Sequence, residues 1–441
     1  MAAKFCRNIP ETPEPLKAEV SGSIPLWLQG TLLRNGPGLF SIGNTSFNHW
    51  FDGMSLIHSF TFKHGEVYYR SKFLRSNTYL KNISANKIVV SEFGTMVYPD
   101  PCKNIFSKFF THMLNSSADF TDNNLVNFIR YGDDYYASSE VNIINQIDPL
   151  TLDTVGRVSY KKYISLNLAT AHPHYDEEGN TYNMGTAITP LSGPKFVIFK
   201  ICSIPFRSKL YPSYFHSFGM TENYIIFVEQ PFKLDIIRLI TAYFRGVTWG
   251  KCLFFDQDDD TLFHIINRKT GVALKTKFCS APFVVFHHIN AYEEDDHVVF
   301  DMITYKDSNV YDFFYIDCMK QETEKFIEMS KTLSPPVCQR FVIPVNADLK
   351  IAKVDTYNKT HIVWSEEDCY PSEPKFVASP DAVDEDDGVI LSSVVSTNPS
   401  KSSFMLVLDA KTLKEIARAT INATVHLDLH GLFIPQASEM I

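Results

Sequence analysis

The sequence predicts an all-β fold assembled from repeated strand-turn-strand units, either a propeller or an array of sandwiches, and three observations carry that prediction. The 441-residue chain holds 35 Phe and 21 Tyr, side chains that pack well on pleated surfaces. A turn signature recurs along it, at Ile147-Asp148-Pro-Leu-Thr151-Leu152, Ile266-Asn267-Arg-Lys-Thr270-Gly271 and Leu408-Asp409-Ala-Lys-Thr412-Leu413, with a looser copy from Val354-Asp355. In each the Asp or Asn can accept backbone amides ahead of it, and Thr favours return into a strand. Finally, His172, His216, His287 and His430 occupy four separate strand-like settings, 44, 71 and 143 residues apart. Metal ligands from one local element, as in a zinc finger or an HExxH helix, lie far closer in sequence. Side chains delivered from successive units onto a common axis favour the propeller.

Composition sets the limits. A chain of this length exceeds one small core, so it forms either two or three domains or one large closed architecture. The apolar share of 45% places it among folded proteins. A net charge of -9 with no Lys/Arg stripe argues against a nucleic-acid partner. No apolar run approaches the roughly 20 residues that span a bilayer, and the first residues lack the apolar core of a signal peptide. The eight cysteines are scattered without CxxC spacing, so reduced thiols in the cytosol are expected. The sequons at Asn82 and Asn422 are then expected to stay unglycosylated.

Along the chain, residues 233–245 carry helical periodicity with apolar and basic residues interleaved. They and the segment 104–114 are the two stretches that could lie on a lipid surface. The acidic run 381–387 reads as a solvated loop with no metal role. Imidazole is the commonest metal ligand because its lone pair is free near neutral pH. Two of the settings offer a choice: His172 and His174, two apart on a strand, would face the same way, whereas the adjacent His287 and His288 must face opposite ways.

Several stretches together resemble the carotenoid cleavage oxygenases. They are Gly30-Thr-Leu-Leu-Arg-Asn-Gly-Pro-Gly38, Asn48-His-Trp-Phe-Asp-Gly53, Phe93-Gly-Thr-Met96, Pro99-Asp-Pro-Cys-Lys-Asn104, Glu385-Asp-Asp-Gly-Val-Ile390 and all four histidine settings in order. The resemblance runs nearly end to end. Trp27-Leu-Gln-Gly30, Tyr69 to Ser76, Asn167-Leu-Ala-Thr170 and His426 to Phe433 place the wording nearest the family members that cleave β-carotene centrally. It implies a single domain of residues 1–441, a seven-bladed β-propeller with a small helical cap. It also implies one ferrous ion per chain on the axis, held by His172, His216, His287 and His430, with O2 as co-substrate. Glu140 and Glu373 correspond to two of the three family glutamates that accept the outer imidazole N–H, and Phe51, Tyr214 and Tyr305 to aromatic residues of the substrate tunnel. The implied activity is cleavage of the central 15,15′ double bond to give two retinal molecules. A carotenoid or retinoid is the expected partner, with peripheral membrane contact and no obligate protein partner.

The resemblance also marks what is missing. Near residues 345–355 the text jumps across a stretch on the order of one blade, roughly 40–45 residues or more, and with it the third glutamate. A smaller shortening lies near 200–204. Activity impaired by the larger loss is therefore expected, and an inactive form of the same fold is the alternative. Eccentric carotenoid cleavage and retinoid isomerohydrolysis are further alternatives within the family.

Overall fold

Short strands joined by tight turns follow one another with few interruptions in the computed structural model, which describes residues 5–97, 121–189, 193–199, 201–320, 323–345, 351–355, 360–421, 423, 425 and 433. They form two compact units, Met1–Ile343 and Pro344–Ile441. The division falls where the sequence reading placed the larger shortening.

In the first unit five sheets of three or more strands succeed one another among the described residues, beside three two-stranded ones. The first sets Thr12–Lys17, Glu66–Phe73, Met54–Lys63 and Gly30–Arg34 side by side. The second, third and fourth are four-stranded, beginning at Asn127–Tyr131, Leu168–Ala169 and Gly219–Met220, and in each the strands lie in chain order. The fifth has three strands, Val284–Glu294, His297–Tyr305 and Val337–Pro344. All the recorded pairings are antiparallel, the up-and-down pattern of propeller blades.

Apolar clusters bind each sheet to the next. Ile57 and Leu74 of the first meet Ala137 and Ile147 of the second. Ile129 and Ile144 of the second meet Ala169 and Ala187 of the third. Met184, Phe196 and Ile198 of the third pack on Ile225, Phe227 and Ile266 of the fourth. Phe263 of the fourth lies 5.7 Å from Phe300 of the fifth, ring centre to ring centre. Each fully buried side chain of this size contributes about 1.5–3 kcal/mol.

The recurring turn does what its sequence requires. Asp148 accepts the amides of Leu150 and Thr151 at 2.8 and 3.0 Å. Asn267 accepts those of Lys269 and Thr270, both at 3.0 Å, and Asp409 that of Thr412 at 2.8 Å. The residue after each Thr turns left-handed, with φ of 62° at Leu152, 70° at Gly271 and 50° at Leu413. Each turn leaves the third strand of its sheet, so the repeat marks equivalent places in three sheets.

The second unit holds the hairpin Ile351–Asp355 and Thr360–Trp364 and a sheet of Cys369–Pro371, Gly388–Ser396, Phe404–Asp409 and Glu415–Thr420, with Lys375–Ala378 pairing Gly388–Ser396. Its core joins Trp364, Val394, Phe404, Leu406 and Leu408. The smaller shortening is a tight hairpin between Gly193–Ile198 and Cys202–Pro205.

Helices are few among the described residues. The one expected over 233–245 spans Ile236–Arg245. Lys233 and Leu234 belong instead to the strand Phe232–Leu234, paired with Leu253–Phe255. Asp235 decides the boundary, because its carboxylate accepts the Arg238 amide at 2.8 Å and caps the first turn. No helix of the described residues is long and apolar enough to cross a membrane. The segment 104–114, Cys102 and His430 lie outside the described residues.

Candidate metal centre

Three successive sheets each bring one histidine to the same place. His172 lies three residues after the first strand of the third sheet, His216 three before that of the fourth, and His287 on the first strand of the fifth. The His172 and His216 Nε2 atoms are 2.8 Å apart, and those of His216 and His287 3.0 Å. The ring planes of His172 and His287 stand at 88° and those of His216 and His287 at 82°. Two nitrogens bound at right angles to one ion at about 2.1 Å would be about 3.0 Å apart, so the donor set fits a metal.

The electrostatics agree. Burial and the neighbouring imidazoles push the His172 pKa down to about 3. Partial burial and His216 push His287 down to about 4. Both rings are therefore neutral at pH 7 and keep a lone pair to donate. Glu140, just beyond the strand Asp134–Ser138, accepts the His216 Nδ1–H at 2.5 Å, which leaves Nε2 of the neutral ring unprotonated. The Tyr214 hydroxyl in turn donates to Glu140, with 2.8 and 2.9 Å to its two oxygens. Burial and then the Glu140 charge raise the Tyr214 pKa well above its usual value, so it remains a donor.

The two sequence choices resolve differently. His288 turns away from His287, its Nδ1 3.2 Å from Ser217 Oγ. The strand is irregular on both sides of His288, and such bulges re-aim side chains beside functional sites. His174 does not share the direction of His172, contrary to the two-residue rule. Residues 171–173, with Pro173 among them, are not strand, and the next strand starts at His174. The His174 Nε2 is 2.7 Å from the Phe218 carbonyl.

Glu373 belongs to the second unit, exposed in the loop between Cys369–Pro371 and Lys375–Ala378. In the acidic run, Lys411 takes Asp384 and Asp387, and Lys353 takes Asp386.

Phe51, Tyr214 and Tyr305 are joined by aromatic residues that the sequence did not assign to the tunnel. Tyr305 lies 5.4 Å from Phe286, and Phe286 5.0 Å from Tyr311. Tyr311 reaches Tyr214 and Phe93, both at 6.1 Å. Phe93 continues to Phe51 at 6.3 Å. Phe286 is 5.7 Å from the His216 ring, which brings this surface to the histidines. Tyr311 sits on the helix Asn309–Phe313, the nearest thing to the expected cap. The signal available in sequence was Phe286, the residue before His287.

Two of the quoted motifs hold each other. The Asp52 carboxylate accepts the Gly94 amide (2.9 Å), the Thr95 hydroxyl (2.6 Å) and the His49 amide (3.2 Å). A Cβ on Gly94 would fall 2.4 Å from His49 Cβ, so only glycine permits the approach. His49 caps Trp50–Asp52 and sets Phe51 in place, with the Phe51 amide 3.2 Å from its Nδ1.

An all-β chain of blade-like sheets with three imidazole Nε2 atoms at one point has the make-up of a propeller protein with a candidate metal centre. The family model of the retinal pigment epithelial membrane protein matches residues 5–350 and 347–435, and the chain belongs to that family. It is similar to the β,β-carotene 15,15′-dioxygenase of Gallus gallus, at 49% identity over 521 aligned positions covering 99% of this chain and 98% of that protein. The Homo sapiens protein of the same name is 47% identical, over 98% of this chain and 94% of its own. The mitochondrial carotenoid-cleaving dioxygenase of Macaca fascicularis is 35% identical, over 98% and 94%. Among solved structures, a mutant of the Synechocystis apocarotenoid oxygenase aligns with a TM-score of 0.60 at 22% identity, over 98% of both chains. A cobalt-substituted form of the Synechocystis enzyme gives 0.59 at 22%, over 99% of both. These structures establish the propeller fold class.

Proposed function

We propose that this chain cleaves the central 15,15′ double bond of β-carotene with O2 to give two molecules of retinal, at a ferrous ion held by His172, His216 and His287. The meeting of three imidazole Nε2 atoms from three sheets carries the reading, and relatives at 47–49% identity bear the name of that activity. His430 is the fourth ligand in this reading and Glu373 a second outer partner. Ferrous iron seated there supplies the redox chemistry that dioxygen needs. The chain's own residues do the rest. Glu140 holds the His216 tautomer and offsets part of the metal charge, and Tyr214 holds Glu140. The row from Tyr305 through Phe286 and Tyr311 to Phe51 offers ring faces to a rigid polyene, where their quadrupoles favour developing positive charge. Anaerobic purification with iron quantification, followed by product analysis on β-carotene, tests the assignment. About one iron per chain and retinal as the product are expected. Iron-free active protein, or unequal apocarotenals, would overturn it.

The helix Ile236–Arg245 exposes Ile237 at 48% and Ile240 at 66% beside Arg238 and Arg245. A helix of that kind lies in the headgroup plane of a membrane, and the reading includes peripheral contact there. The double substitution of Ile237 and Ile240 by Ser should reduce co-sedimentation with anionic vesicles. Unchanged sedimentation would exclude this helix.

A second reading, a poorly active form of the same fold, draws on the missing stretch. The 521 aligned positions exceed the 441 residues of this chain, and the two family matches meet at 347–350. Beside that junction the fifth sheet has three strands among the described residues, where the three sheets before it have four. Its last strand exposes Val337 at 52% and Val342 at 56%, an edge that invites aggregation. Restoring the family's segment should raise soluble yield and retinal output. Equal retinal yields from the two proteins would dismiss this second reading.

A further inference from the structure

Two hydroxyl groups stitch the histidine-bearing segments to one another. Thr170, buried at 3% exposure, stands two residues before His172. Its Oγ1 accepts the His172 amide N–H at 2.9 Å and donates to the His216 carbonyl at 2.6 Å. Ser217 repeats the device one sheet further on. Its Oγ donates to the Phe286 carbonyl at 2.6 Å and accepts the His288 amide N–H at 3.3 Å. Ser217 thus grips the peptide bonds on both sides of His287. Because the His216 carbonyl and the Ser217 amide share a peptide bond, the two contacts form one chain from His172 through His216 to His287.

Gln230 reinforces the second link from below. Its side-chain amide donates to the Tyr214 and Val285 carbonyls at 3.0 and 3.1 Å, and its Oε1 accepts the Val285 amide at 2.7 Å. Tyr214 and Val285 lie two residues before His216 and His287. On the other flank, Asn127 in the sheet that leads to Glu140 donates to the Ala171 carbonyl at 2.7 Å.

Strands in different sheets share no ladder of hydrogen bonds, so their spacing is set by side-chain packing and by side-chain bridges such as these. A metal site tolerates displacements of only about 0.5 Å in its ligands. We infer that Thr170 and Ser217 are positioning residues whose hydroxyls hold the three imidazoles at metal-binding separation. The inference rests on the reading of His172, His216 and His287 as a metal seat. Neither residue supplies a ligand. Losing either hydroxyl should weaken metal binding while every donor remains.

The test is equilibrium titration of the metal-free full-length chain with cobalt(II) chloride, followed by its visible absorption, alongside thermal unfolding of the metal-free protein. T170V keeps the shape of the side chain and S217A removes only the hydroxyl. Each should bind cobalt roughly 10–100-fold more weakly, with an altered visible band. T170S and S217T, which retain the hydroxyl, should bind nearly as wild type does. Unfolding at lower temperature with unchanged cobalt affinity and spectrum would overturn the inference, and so would T170S binding as weakly as T170V. If T170V precipitates, S217A decides the matter. A wild-type chain that takes up no cobalt would instead remove the metal seat itself, and the inference with it.

Discussion

Replacing His172, His216 or His287 by Ala should each leave a protein that loses iron during purification and makes no detectable retinal, whereas H174A and H288A should keep both. Full metal sites of four ligands bind with apparent free energies of about 10–16 kcal/mol, so one ligand corresponds to about 3 kcal/mol, or at least a hundredfold in affinity. His174 and His288 are placed by the Phe218 carbonyl and Ser217, away from the convergence. Their loss removes hydrogen bonds worth about 1 kcal/mol each. Glu140→Gln belongs between these extremes. The three donors remain but the His216 ring loses its charged acceptor, which lowers metal affinity roughly 10–100-fold. Iron content measured across the set orders the variants, and an iron-free H174A protein would refute the choice between His172 and His174.

Asp52→Ala should cost on the order of 3–5 kcal/mol of folding stability, because it strands the Gly94 amide, the Thr95 hydroxyl and the His49 amide without their buried acceptor. Asp52→Asn should reveal a pH effect that the native pair conceals. Burial raises the Asp52 pKa from 3.8 to about 6, against the smaller lowering by its three donors. The stability linked to this carboxyl is full below pH 3.8 and fades as pH rises through 6. Burial lowers His49 from 6.5 to about 4. Its contribution is full above pH 6.5 and is lost as pH falls through 4. Between pH 4 and 6 the two slopes oppose each other. D52N removes one of them, so denaturant midpoints of the variant should fall more steeply on acidification from pH 6 to 4 than those of the parent. Parallel midpoint curves would show that Asp52 is not titrating in that window.

What could be read from the sequence was whatever a local rule governs. The turns at Asp148, Asn267 and Asp409 were legible because one side chain and its own following amides make them. His287 and His288 were separable because adjacent residues of a strand point apart, and the two rings do so even though the register around His288 is irregular. The same rule failed at His172 and His174, where Pro173 interrupts the strand and frees the two rings from a common face. The helix began three residues later than its periodicity suggested, because Asp235 caps it and Lys233 is drawn into a strand that pairs with Leu253–Phe255. The aromatic row was half visible. Phe51, Tyr214 and Tyr305 came from family wording, whereas Tyr311 and Phe93 join them only once sheets and helix are packed. Thr170 and Ser217 are ordinary hydroxyl residues in sequence, and their partners lie 46 and 69 residues away.

His172, His216 and His287 all precede Ile343, where the first compact unit ends. During synthesis, domains fold as units from the N-terminal end, at about 5–20 residues per second. On the proposed reading, the three-histidine part of the seat forms while Pro344–Ile441 is still being translated, a head start of roughly 5–20 s. Three donors would then stand open to any divalent cation in the cell for that interval. On that reading, which metal fills the site becomes partly a question of timing, decided by which ion reaches the nascent site first.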